Sequence, residues 1–377
     1  MTKGVRKFRF LFVHALILGK ETAFQNIRDA VSRMEDIDAA FLPIEMETPE
    51  WFSKLPMIRR NHSLRFGLVA RTRVMALERD CRPFDAAFFN HILPALMLKR
   101  FRKRVPCFDS MDVTPLQLVQ DGQAYYQSTR TQGSALMTEL KRKVAKSIFS
   151  GSACLLPYSE YARRSLVSDY GIPDDKILVL PPGTRLETWT NTGKRPHDSP
   201  FTVLFVGGEF IRKGGDILLA VAHRPEFRHC RFHFVTRSFV GEALPNVFIH
   251  KNLRANTQEL IDLYRHSDVF VLPTRADFAP TNAITEALAA GLPVITTPVG
   301  GLGDVVANGE TGFIVQADNE LETAAALRTL MERKELRTTL SRKALAFARK
   351  YLDADANVRR IVDLMKEASQ EHSCLHE

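Results

Sequence analysis

Two short stretches hold the residue types that could do chemistry. In "LFVGGEFIRKGGDILL" a strand-like run ends at Val206, a glycine turn follows, and a helix is predicted from Gly214 or Gly215. Arg212 and Lys213 then lie at a helix N-terminus, where the macrodipole disfavours cations. Gly207 and Gly208 would let backbone N–H groups approach a ligand, so this pattern suits a bound anion such as a diphosphate. An exposed basic turn gives the same local pattern. In "ADFAPTNAITEALAAGLPVITT" (276–297), Glu286 sits in a helix-like run, Asn282 to Ala290, whose neighbours are mostly Ala, Ile and Leu. A carboxylate near a helix start can simply answer the dipole. It does not complete a capping box, because the residue three before it is Ala283. Thr281 and Asn282 offer capping or ligand-facing polar groups, and Glu286 could accept two hydrogen bonds from a ribose diol. Gly300, Gly301 and Gly303 follow the next strand as a turn signal.

These residues need elements to position them. At 377 residues the chain is long for one core, which favours two domains. The first half alternates strands ("KFRFLFVHALIL", "DAAFLPIEM", "FDAAFFN", "VPCFDS", "ACLLPYS", "KILVLPPG") with helices ("TAFQNIRDAVSRM", "SLRFGLVARTRVMALERD", "SALMTELKRKVAKSIF", "EYARRSLVSDY"). That rhythm implies a doubly wound, mainly parallel sheet. "NTGKRPHDSP" (191–200) interrupts it as a linker. The rhythm then restarts with strands "FTVLFVGG", "CRFHFVT", "DVFVLP", "LPVITT" and "TGFIV". Helix "NTQELIDLYRHS" is predicted to start at an Asn256 or Thr257 cap, and two or three helices follow from about Leu321. The expected division is 1–190, a linker at 191–200, 201–350, and a C-terminal helix and tail at 351–377 that could pack back on the first domain. Ligands of such sheets bind beyond the carboxyl ends of the strands, and a cleft between two facing domains is the default site.

Composition limits the function classes. Hydrophobic residues at 45% and charged residues at 25% are ordinary globular values, which argues against extended disorder. No apolar run approaches the roughly 18–20 residues of a membrane span. The basic, apolar start reads as a first strand rather than a signal peptide, since His14 interrupts it and no small-residue cleavage site follows. Cytoplasmic residence is the expectation. Five scattered cysteines without a CxxC read as reduced thiols. Histidine spacing offers no metal site, so no bound metal is expected. The net charge of +9 is concentrated: residues 51–150 hold 18 Lys/Arg against 7 Asp/Glu. Solvated faces explain any one basic cluster, but three together suit an anionic partner: an acidic lipid surface, a phosphorylated glycan or, least of all, a nucleic acid.

The order "FVGG…RKGGD", "ELIDLYRHSDVFVLPT", "EALAAGLPVITT", "GGLGD", "NGETGFIV" resembles the retaining family-4 glycosyltransferases (group 1). The likeness covers roughly 80–350 and is most specific over 200–315. It implies the α/β GT-B fold, two Rossmann-like doubly wound parallel-sheet domains facing a central cleft, with C-terminal helices. It implies transfer of a sugar, with retained configuration, from a nucleotide-diphosphate sugar to a hydroxyl of a glycan or glycolipid of the cell envelope. Lys213 would hold the diphosphate and stabilise charge on the leaving group. Glu286 would be the second carboxylate of the E-x7-E motif, on the ribose, and Gly207 and Gly208 would admit the donor. No cofactor or metal is expected, the nucleotide sugar being substrate.

This sequence departs from the family at several points. Gly208 stands where Arg is frequent, with Arg212 able to take over. Phe278 stands where the first carboxylate should be, with Asp277 one residue earlier. Met111 replaces a His, and Arg185 an Asp. His91 and Asp112 are first-domain candidates for the donor sugar or acceptor, although a lone His in an apolar segment is commonly structural. Two other readings stay open: another GT-B nucleotide-sugar enzyme such as a 2-epimerase, or a non-catalytic nucleotide-sugar-binding scaffold. A peripheral position at the inner face of the membrane follows from the basic first domain.

Overall fold

The structure, a computed structural model, describes residues 7–16, 21–45, 61–80, 82–121, 135–190, 199–242 and 244–374. Most of the expected 191–200 linker lies outside the described residues. The chain divides into two compact units.

The first unit runs to Leu180 and includes the final helix. Its strands are β1 (Phe8–Ala15), β2 (Ile37–Ile44), β3 (Ala86–Phe89), β4 (Cys107–Met111) and β5 (Cys154–Pro157), ordered β2-β1-β3-β4-β5. All pairings are parallel. A parallel sheet is covered on both faces, so its strands read as continuous apolar runs; β3 is buried at every position. The helix Ala354–Cys374 forms part of that cover. Val358, Ile361, Val362 and Met365 recur at helical spacing and join Phe10, Phe12, Ile27 and Phe88 in one core.

The second unit, from Pro181 to Asp353, holds β6 (Thr202–Val206), β7 (Arg231–Val235), β8 (Val247–His250), β9 (Val269–Leu272), β10 (Val294–Thr296) and β11 (Gly312–Ile314). The order is β11-β10-β9-β6-β7-β8, again all parallel. From β6 the chain winds outward to β8, then returns to β9 on the other side and winds outward to β11. The reversal falls between neighbours β6 and β9, and loops leaving their carboxyl ends flank the crevice where such sheets take ligands.

Three details differ from the sequence expectation. The predicted strand "KILVLPPG" only leans on β5: Leu178 and Leu180 donate to the carbonyls of Leu155 and Pro157 before Pro181 and Pro182 end the contact. β8 went unpredicted, being four residues long at a sheet edge. Of the two cap candidates Thr257 takes the position before helix Gln258–Arg265, but its hydroxyl donates to the Arg254 carbonyl instead of capping. Asn256 is in the left-handed region, with φ 62°.

Candidate functional site

The loop after β6 is shaped by two close approaches. Gly207 donates its N–H to Val235 at 2.9 Å. A Cβ on Gly207 would lie 3.0 Å from Lys213 Cβ, so a larger residue would push the lysine away. Gly214 adopts φ 75°, and a Cβ there would sit 2.1 Å from the carbonyl oxygen of Pro273. Only glycine fits, because the β6 loop rests directly on the backbone leaving β9. Gly208 lies in open space, with no heavy atom within 4 Å of its would-be Cβ.

Arg275 fastens the second loop over the first. Its N–H donates to the Arg212 carbonyl at 2.9 Å. Its guanidinium binds Asp216 at 2.7 and 2.8 Å and Asp318 at 2.6 Å, and it also reaches the Ile211 carbonyl. Asp277 is thereby delivered to the basic turn. Lys213 Nζ donates to its two carboxylate oxygens at 2.7 and 2.9 Å. Arg212 Nη1 binds the Ala276 carbonyl at 2.7 Å and approaches Asp277 at 3.4 Å. The other nitrogens of Arg212 grip Glu209 at 2.7 and 3.2 Å. A third loop closes the group from beneath. Gly300, at φ 56°, would place a Cβ 2.3 Å from the Asp277 carbonyl oxygen, and Gly301 donates to Phe278 at 3.1 Å.

Arg212 and Asp277 are almost wholly buried, and Lys213 keeps slightly more contact with solvent. Two cations therefore face two carboxylates, Asp277 and the exposed Glu209, which offsets the unfavourable dipole at this helix start. Burial pulls the Lys213 ammonium below its ordinary pKa, while the Asp277 carboxylate pulls it back. Phosphate oxygens could satisfy the same lysine if Asp277 turned aside. Arg212, spread over Glu209, Ala276 and Asp277, is built as a brace.

Glu286 lies one turn into the helix Asn282–Ala289, which follows the Asp277 loop. Its N-cap is Thr281, whose hydroxyl accepts from Ile284 at 3.4 Å; Asn282 is the half-buried first residue. Glu286 is buried, with Oε2 3.1 Å from the Tyr264 hydroxyl. That hydroxyl also lies 3.2 Å from the Ala283 carbonyl. Burial pushes the Glu286 carboxyl up to about 8, against the lowering effect of Tyr264. Tyr264 is itself held well above its ordinary value by burial and by Glu286. The Tyr264 hydroxyl is the donor here, its one proton shared between Glu286 Oε2 and the Ala283 carbonyl. Trp189 edge-on at 5.1 Å and Phe270 stacked at 5.7 Å fix the tyrosine ring.

The structure brings Arg212, Lys213, Asp277 and Gly207 together and sets Thr281, Asn282 and Glu286 on the helix that continues the same loop. His91 belongs to the first unit, at the carboxyl end of β3. Its Nδ1 accepts the Leu93 N–H at 3.1 Å and caps the helix Ile92–Ala95. Among the described residues no group of three or more His, Cys, Asp or Glu side chains clusters as a metal site. Sequence reasoning missed Tyr264, Glu209 and Arg275. Tyr264 had a signal: it shares a buried helical stripe with Leu260 and Ile261, and a buried tyrosine needs a partner for its hydroxyl.

Residues 200–333 match the family described as "Glycosyl transferases group 1". That match bears out the group 1 resemblance over these residues. The D-inositol 3-phosphate glycosyltransferase of Paenarthrobacter aurescens is 29% identical over 226 residues, covering 54% of this chain and 55% of that protein. The chain thus spans about half the length of this curated relative. Sucrose-phosphate synthase from Thermosynechococcus elongatus superimposes with a TM-score of 0.74 at 16% identity, covering 96% of this chain and 99% of that one. The Anabaena protein HepE in complex with UDP and glucose gives a TM-score of 0.66 at 15% identity, covering 96% and 100%. At these identities the likeness is one of fold, and the fold is GT-B.

Proposed function

We propose that this chain is a glycosyltransferase that moves a sugar from a nucleotide-diphosphate sugar to an acceptor hydroxyl. The observation that carries the reading is Lys213: a largely buried ammonium, on a glycine-shaped turn at the switch point of a parallel sheet, held among the described residues by a carboxylate that a diphosphate can replace. The group 1 match over this same segment and the UDP and glucose complex of a protein of the same fold support it. In this reading Lys213 neutralises charge growing on the leaving diphosphate. Asp277, freed from the lysine, faces the sugar in place of the carboxylate that Phe278 does not supply. Glu286, with Tyr264 behind it, meets the ribose.

Retention of configuration, independence of metal, and a glycan or glycolipid acceptor of the cell envelope complete the proposal, with His91 on the acceptor side. The protein works in the cytoplasm, peripherally at the inner face of the membrane. No described helix is long and apolar enough to cross a membrane.

The test is release of nucleoside diphosphate from UDP-, GDP- and ADP-sugars over a panel of acceptors. One donor should turn over, and Lys213→Ala should lower its turnover by about 10²–10³-fold, as for loss of a group aimed at developing charge. Turnover unchanged in Lys213→Ala and Glu286→Gln would remove this site from the reaction.

A further inference from the structure

The helix Ala135–Ser150 of the first unit buries one face, through Ala145, Ile148 and Phe149. The arc adjoining that face is also apolar. Leu136, Leu140 and Val144 follow one another at i, i+4 and i+8, with Met137 beside them, and all four are exposed, Leu136 at 82% and Leu140 at 53%. At about 100° per residue these side chains span an arc of roughly 100°. Lys141 borders the arc on one side, and Lys143 and Lys146 on the other; all three are exposed. Glu139, the acidic side chain beside this rim, is taken up by Arg142 at 2.7 and 2.8 Å. At the far end of the helix, Arg102 reaches the Ile148 carbonyl at 3.3 Å.

Four large apolar side chains exposed in a row make a contact surface. The charge around them selects the partner. A bare apolar groove on a protein would not need lysines on both flanks, whereas an interfacial helix places apolar side chains at the acyl boundary and lysines among anionic headgroups. We propose that the Leu136–Leu140–Val144 face is the membrane contact of this protein and that its target is a bilayer surface rich in anionic phospholipid. The helix lies in the plane of the interface, with Leu136, Met137, Leu140 and Val144 below the headgroups. This deepens the peripheral-membrane part of the proposed function and does not depend on the donor chemistry, so vesicle binding and nucleotide binding can fail separately.

The experiment is co-sedimentation of the full chain with vesicles of phosphatidylcholine alone or mixed with phosphatidylglycerol, with nucleotide binding measured on the same samples. Wild type should pellet with the mixed vesicles and stay in solution with the neutral ones. Raising salt from about 0.1 to 1 M, which shortens the Debye length from roughly 10 to 3 Å, should release it. Leu136→Ser with Leu140→Ser should abolish pelleting. Lys141→Gln, Lys143→Gln and Lys146→Gln together should weaken it on the order of 100-fold, from about fivefold per lysine. These positions are exposed, so circular dichroism and nucleotide binding should be unchanged in both variants. Equal pelleting with neutral vesicles, or full binding by the leucine variant, would overturn the proposal. So would a wild-type dimer in sedimentation velocity that the leucine variant splits, since the face would then belong to a second copy.

Discussion

Glu286 is buried and Lys213 largely so, and burial drives each towards its neutral form, the carboxyl upward to about 8 and the ammonium downward. The consequence for Glu286 is a stability that depends on pH. The folded chain keeps a proton that the unfolded chain gives up near 4.5, so the stabilisation is complete below that value and is lost as pH rises towards 8. Glu286→Gln keeps a partner for Tyr264 and removes the titration. Thermal unfolding followed across pH 5 to 9 should show wild type losing roughly 3–5 kcal/mol that the variant keeps. A parallel decline in both proteins would mean the carboxyl titrates normally. Asp277 is the counterpart on the lysine side. Asp277→Asn leaves Lys213 without its anion, so inorganic pyrophosphate should bind the variant more tightly, by about tenfold, while sugar transfer falls because the sugar-facing carboxylate is gone. Calorimetry with pyrophosphate reads the first effect, and unchanged or weaker binding would show that Asp277 does not compete for the lysine.

Three loops and one helix hold the site, and their glycines are where substitution should be felt most. Gly214→Ala would force a Cβ into the Pro273 carbonyl, and Gly300→Ala would force one into the Asp277 carbonyl, both at positive φ. Each should cost at least about 1–3 kcal/mol. Gly300→Ala should also lower turnover at temperatures where the protein stays folded, because Asp277 moves with its backbone. Gly208→Ala, in open space, is the matched control, and differential scanning calorimetry separates the three. Much of this was legible in the sequence. "GGEFIRKGG" announced a glycine-shaped turn carrying two cations, and "TNAITEALAAG" announced a short buried helix with an acid inside it. The pairing of Lys213 with Asp277 was not legible, since it depends on how Arg275 and Gly300 set the register of a loop lying about sixty residues away along the chain. Tyr264 and Glu286 come from separate helices, and only the crossover around β9 brings them together.

For the whole molecule, the two parallel sheets followed from the alternation of apolar runs and amphipathic helices, and the last helix, which the sequence reading allowed to pack back on the first domain, takes its place through tertiary contacts. That helix joins the first unit after the chain has left the second. Truncation after Asp353 would strip Val358, Ile361, Val362 and Met365 from the core around Phe10 and Phe12. Hydrogen exchange should then show β1 to β5 losing protection while β6 to β11 keep theirs, and equal loss in both sheets would contradict the division. The central claim concerns what the second unit holds. It is tested most directly by calorimetric titration of UDP-, GDP- and ADP-sugars into the wild-type chain and Lys213→Ala. The account predicts that one nucleotide-diphosphate sugar binds wild type and binds the variant at least about tenfold more weakly, as expected for loss of a charge-assisted contact. Equal affinity in the two proteins, or no binding by any sugar of the panel, would contradict it.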